Sequence, residues 1–323
     1  SYCHGHGLTC EETLRRRQHE GYCPDMTATR ERPTISPFAR YIANAGPKRG
    51  FWRAAMGLGL ILIVWIGWTA LVLWSAMDAG IGLERPGRGF DPGTPLALAV
   101  VLATFGGLWG GVWLAMRLCH GGGLGSVLGP RVRSIWAGLA LGLLAYALSV
   151  VLAMAVGITP TRTALDLSSW AVWLLPTALL VAVQAGGEEL LFRGYLLQRL
   201  ARGLRHPLIW AGVPALLFGL LHYDPSLPGV AGVLYVATTA MFGLAAAVLV
   251  WRTGALWAAI GLHTGINLGG LTGIGIGDFL AGMQLGALPK AESERLLALD
   301  ALTSLALLVL VCSRWCPVRA PQR

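Results

Sequence analysis

Apolar residues gather along this chain in eight long runs, at about 52–77, 94–116, 134–157, 169–195, 207–222, 229–250, 255–276 and 298–314, with short polar stretches between them. An apolar run of about 20 residues is what an α-helix needs to cross the hydrocarbon core of a bilayer, at about 1.5 Å of rise per residue. The pattern predicts an all-α fold, a polytopic membrane bundle of about eight transmembrane helices. The fourth run continues as a polar helix through "RGYLLQRLARGLRH". The fifth is short, as for a tilted or neighbour-supported span. No fixed-period repeat is visible.

Residues 1–50 break the pattern. They are polar, charged and irregular, and are read as a basic, disordered tail preceding a transmembrane domain over 51–323. The chain opens on Ser, and Met26 begins "MTATRERPTISPFARY", a fit start, so residues 1–25 are read as an upstream extension that need not be native. The tail holds Cys3, Cys10 and Cys23 among His4, His6 and His19, without a regular paired zinc spacing.

Composition supports the membrane reading: 55% of residues are hydrophobic and only 13% charged, against about 25% in soluble domains. The formal charge of +9 requires no nucleic-acid partner, because Lys and Arg concentrate in cytoplasmic loops of membrane proteins. Base is rich before the first run (Arg40, Lys48, Arg49, Arg53), between the second and third (Arg117, Arg131, Arg133), and after the fourth (Arg199, Arg202, Arg205), sixth (Arg252) and eighth (Arg314). The alternate loops are poorer. The rule then puts both termini in the cytoplasm. The compact chain, free of low-complexity segments, is read as belonging to a prokaryotic plasma membrane.

Charges inside a span are costly and mark a function or a pairing. Of sixteen acids, this reading places only Glu188 and Glu189 inside an apolar run, and of seven histidines only His222 and His263. Arg193 is the one base near a span's interior. Glu189 and Arg193 are four apart and share a helix face, as do His263 and Asn267, and Phe218 and His222. Glu188 lies 17 residues before Arg205 and His222 lies 17 after it, so a helical hairpin turning there levels the two, roughly 25 Å from the turn. Glu188, Glu189, His222, His263 and Asn267 can thus converge in one intramembrane pocket.

A carboxylate beside a histidine makes a base for water, and a second His with an Asn can hold an oxyanion, which suits hydrolysis of an acyl bond, above all a peptide bond. The serine-hydrolase, H-E-x-x-H, P-loop and dinucleotide signatures are absent. "EELLFR" (188–193), "FGLLH" (218–222) and "HTGIN" (263–267) resemble, in order and spacing, the E-E-x-x-x-R, F-x-x-x-H and H-x-x-x-N/D motifs of the CAAX prenyl protease and bacteriocin-processing family of intramembrane proteases, which includes the Rce1-type enzymes. The resemblance covers about residues 165–275. It implies that Glu188 and His222 activate water, that His263 and Asn267 form the oxyanion hole, and that Glu189 and Arg193 shape the site or contact substrate. It also implies a peptide or protein substrate, prenylated or membrane-associated, met in the lipid bilayer, and no required metal.

Other readings stay open. Glu189 with Arg193 can be a purely structural ion pair, Phe218 packing, and Asn267 interhelical glue. Glu188, His222 and His263 could instead form a His₂Glu zinc site of a metalloprotease. A non-enzymatic carrier or binding protein could use the same polar pocket, although the paired broken-helix repeats common in carriers are not visible.

Overall fold

The computed structural model describes residues 35–85, 89–90, 92–277 and 280–318, and its compact body begins at Ser36. The architecture is a polytopic helical bundle with, among the described residues, two very small sheets. The tail reading therefore divides. Residues 1–34, including Cys3, Cys10 and Cys23, lie outside the described residues. Residues 36–50 instead join the fold, which corrects the boundary at 51.

Helix α1 (Pro37–Ala43) starts on Ser36, whose Oγ accepts the Ala39 N–H at 3.1 Å, with Pro37 in the first turn where its missing donor costs nothing. Phe38 and Tyr41 are its buried residues. A long, lipid-suited helix α2 (Phe51–Asp78) follows, with exposed Trp52, Ile63, Ile66 and Trp74. The second apolar run folds as a broken helix. It comprises α3 (Pro95–Ala103), α4 (Gly106–Ala115) and a π-helical turn, Met116–His120. Then come α5 (Leu124–Leu128) and α6 (Ser134–Ala155).

Helix α7 (Leu167–Glu189) is capped by Asp166, whose Oδ1 accepts the Ser169 N–H at 2.9 Å and the Ser168 hydroxyl. It passes without a break into a π-helical segment, Leu190–Leu196, and then α8 (Leu197–Gly203). The chain returns through a π-helical turn, Leu208–Gly212, and α9 (Val213–Leu220), then α10 (Ala231–Thr253), α11 (Trp257–Thr272) and, last, α12 (Ser293–Cys312).

Six of these helical stretches among the described residues are long and apolar enough to cross a membrane. The other two expected spans are shorter: Leu208–Leu220 for the fifth, and α11 for the seventh. Helix α11 ends where Gly273 turns the chain into strand β4 (Ile274–Ile276), so residues 274–276, read as the end of a span, are extended instead. There β4 pairs parallel with β5 (Gly286–Leu288), and β5 pairs antiparallel with β3 (Thr161–Arg162). The β1 (Glu84–Arg85) and β2 (Gly89–Phe90) hairpin is the second sheet. Such pairing satisfies backbone groups that a helix would otherwise have satisfied internally.

Helix α11 runs very close to α6. A Cβ at Gly138 would collide with the Ala258 carbonyl, and one at Gly261 with the Ile135 carbonyl. Small residues let the two backbones meet, which is how helices gain packing energy where lipid supplies no hydrophobic drive. Helix α1 and the residues after it are tied to α5 and α8. The Tyr41 hydroxyl donates to the Val127 carbonyl at 2.6 Å, Gln198 Nε2 donates to Ser126 O at 2.9 Å and Tyr41 O at 3.3 Å, and Arg202 Nη1 donates to Gly46 O at 2.6 Å.

Candidate active site

The end of α7, the π-helical segment, α9, α10 and α11 meet around one buried polar cluster. Glu189 is fully enclosed, Arg193 is 1% exposed and His263 3%. A single oxygen, Glu189 Oε1, accepts from Arg193 Nη1 at 3.0 Å and from His263 Nδ1 at 2.9 Å. Arg193 Nε also donates to the Gly243 carbonyl at 3.4 Å, and a Cβ on Gly243 would press on Arg193 Nη2. Three phenyl rings cage the guanidinium, with its carbon 4.4 Å from the Phe218 centroid, 5.6 Å from Phe242 and 5.8 Å from Phe192. Cation–π contact in a dry site offsets part of its desolvation.

Glu188 faces the other ring nitrogen. Its Oε2 is 3.4 Å from His263 Nε2, near enough for electrostatic contact, yet this oxygen makes no hydrogen bond. The Glu188 side chain keeps 12% exposure where Glu189 keeps none. Of the two carboxylates, Glu188 is the one a small molecule can still reach.

His222 follows α9, with its ring 4.5 Å from Phe218 and edge-on to Tyr235 at 5.8 Å. Its Nδ1 is 2.7 Å from the Phe218 carbonyl. A carbonyl only accepts, so Nδ1 carries the hydrogen and Nε2 of the neutral ring presents a lone pair. The ring lies within electrostatic range of Glu188, His263 and Arg193. The two histidines and two glutamates that the motif spacing brings together are therefore one cluster. Asn267 sits one turn from His263 and donates from Nδ2 to Gln184 Oε1 at 2.9 Å.

Phe218 is the hub of the packing, touching Arg193, His222, His263 (5.7 Å), Phe192 (5.1 Å) and Phe242 (6.0 Å). Four contributors escaped sequence reasoning. Gln184 stands four residues before Glu188, a carboxamide in a span that the i,i+4 rule could have flagged. Phe242 closes over His263 at 4.9 Å. Tyr235 borders His222. Asp300 is a third acid within an apolar run, which corrects the count of two. It lies on α12, hydrogen-bonded by the Ser149 side chain.

The fit to zinc can be tested on the donor set. A separation of 3.4 Å between Glu188 Oε2 and His263 Nε2 is about that of two ligands on one tetrahedral zinc. A site needs a third. Among the described residues, no three His, Cys, Asp or Glu side chains form a cluster that could hold a metal ion. His263 Nδ1, the ring's other ligating atom, is bonded to Glu189.

Comparison with known proteins meets the same segment. Residues 168–269 match the family described as Type II CAAX prenyl endopeptidase Rce1-like. The uncharacterized protein YyaK of Bacillus subtilis (strain 168) is 31% identical over 187 residues, covering 55% of this chain and 60% of that protein. The match thus spans less than two thirds of this relative's length. The family match runs from the start of α7 to just past Asn267, the stretch that carries Glu188, Glu189, Arg193, His222 and His263.

Proposed function

We propose that the chain is an intramembrane endopeptidase of the CAAX protease type, hydrolysing a peptide bond with water activated by Glu188 and His222. The observation that carries this reading is the His222 ring: its Nδ1–H is held by Phe218 O, which leaves the Nε2 lone pair open within electrostatic range of the one reachable carboxylate. A water between them gives a proton to Glu188, and its oxygen attacks the substrate carbonyl carbon. The tetrahedral intermediate collapses as the C–N bond breaks, and the proton held by Glu188 passes to the leaving amine. No bound metal is needed in these steps.

Glu189 and Arg193 serve this site from behind. Both are enclosed, so they act through His263 rather than on substrate. Asn267 supplies a donor to the reacting carbonyl oxygen, and His263, held between Glu189 and Glu188, positions Glu188. The substrate is a peptide whose scissile bond enters the bilayer beside a membrane-embedded group, such as a prenyl chain on a cysteine.

The test uses full-length chain in phospholipid vesicles with an internally quenched peptide carrying a farnesylated cysteine near its C-terminus. Wild type is expected to cleave it. Glu188→Gln is expected to lose about 10²–10⁴-fold in turnover, the range of a general base. Undiminished cleavage by a folded Glu188→Gln protein refutes the assignment.

A further inference from the structure

We infer that Tyr235 supplies a hydrogen bond to the oxyanion of the proposed peptide hydrolysis, making it a catalytic residue beyond the three sequence motifs. This rests on the endopeptidase reading above. The need for another donor follows from how the expected ones are engaged. His263 turns Nδ1 to Glu189 at 2.9 Å and Nε2 to Glu188 at 3.4 Å. Asn267 gives one amide hydrogen to Gln184, which leaves it a single N–H. Oxyanion sites commonly use two aimed donors.

Tyr235 is placed to provide the second. It lies in the second turn of α10, half-buried, with its ring edge-on to His222 at 5.8 Å. Among the described residues its hydroxyl makes no hydrogen bond; the hydrogen bond at this residue is the Thr239 hydroxyl on its backbone carbonyl at 2.7 Å. The hydroxyl oxygen is not sealed inside the fold, so a substrate group can reach it. Here the phenol stands beside the proposed base, within electrostatic range of the Glu188 carboxylate. Asp224 and Asp300 are the other charged groups in its range, and no cation is among them. A phenol in that setting is an O–H donor without a resting acceptor. The acceptor it lacks is the carbonyl oxygen that becomes negative when the Glu188-bound water attacks. As C–O bond formation places charge on that oxygen, the phenol shortens its bond to it, and the proton stays on Tyr235 throughout.

Tyr235→Phe keeps the ring that packs on His222 and removes only the donor. With the farnesylated quenched peptide in vesicles, the variant is expected to lose about 10²–10³-fold in kcat with KM little changed, the scale of one oxyanion donor. A peptide aldehyde of the same sequence, whose hydrate mimics the tetrahedral carbon, is expected to bind the variant more weakly. An uncleavable reduced-amide analogue is expected to bind both proteins equally. Wild-type kcat in Tyr235→Phe, or equal loss of affinity for both analogues, overturns the inference. Glu188→Gln assayed in parallel separates the two proposals. If it is inactive while Tyr235→Phe turns over normally, only the role of Tyr235 fails. If it is fully active, the endopeptidase mechanism itself fails.

Discussion

His263 and Glu189 are joined by a 2.9 Å bond between Nδ1 and Oε1, and the same oxygen takes Arg193 Nη1 at 3.0 Å. The second glutamate of the E-E pair is thus the brace of the histidine, and Arg193 is the brace of the glutamate. This order, cation to carboxylate to imidazole, fixes which face of His263 is turned to Glu188.

Removing Arg193 leaves Glu189 charged, enclosed and short of a donor. Breaking a buried pair from one side costs about 3–5 kcal/mol, so Arg193→Met is expected to unfold at markedly lower temperature in detergent. Adding Glu189→Gln to that variant removes the orphaned charge and is expected to recover a large part of the loss. A thermal-unfolding cycle over the two single variants and the double variant measures the coupling. Additive losses would show that the pair is not coupled in the fold.

His263→Gln probes the brace differently. The amide can still reach one glutamate, but it cannot span both as the two ring nitrogens do. Expression and helical content are expected to stay near wild type. Cleavage of the farnesylated peptide is expected to fall by at least about tenfold, a loss of about 1.4 kcal/mol in transition-state binding. Retained turnover would mean that the ring's contacts with Glu188 and Glu189 are structural only.

Much of this was legible in the chain because lipid leaves few solutions. Long apolar runs satisfy their backbone groups in lipid by folding as helices, and charges within them are costly unless they pair. Three features were not legible. The backbone turns π-helical directly after Glu189, so a 3.6-residue period does not report which face Leu190–Leu196 present. Helix α1 sits in a polar stretch, and its place is set by hydrogen bonds from Tyr41, Gln198 and Arg202 rather than by an apolar pattern. Asp300 stands near the start of its run, where position alone cannot tell a solvated end from a buried contact with Ser149.

Tyr41 gives helix α1 a measurable stake in the fold. Its hydroxyl meets the Val127 carbonyl at 2.6 Å, so Tyr41→Phe orphans a buried acceptor and is expected to cost about 1–3 kcal/mol. Burial also pushes the Tyr41 phenol well above its usual range. The unfolded phenol ionises near pH 10 while the folded one holds its proton, so the unfolded state binds fewer protons there. Stability from this residue is full below about pH 10 and falls as pH rises toward the folded value. Wild type is therefore expected to lose more stability than Tyr41→Phe between about pH 9 and 11. Parallel losses in the two proteins would remove Tyr41 from the alkaline transition.

Metal removal distinguishes the water mechanism from a zinc one. A catalytic zinc needs three protein ligands and an open position. Glu188 and His263 are spaced for two, but His263 is also held through Nδ1 by Glu189, and no third donor completes a cluster among the described residues. Recruiting His222 Nε2 would require the ring to move toward His263 while Nδ1 keeps, or gives up, its 2.7 Å bond to Phe218 O. Activity in vesicles is accordingly expected to survive prolonged treatment with a strong zinc chelator, with purified protein carrying well under one zinc per chain. Loss of cleavage on chelation, restored by added zinc and accompanied by near-stoichiometric metal, would replace Glu188 as a water-activating base with Glu188 as a ligand.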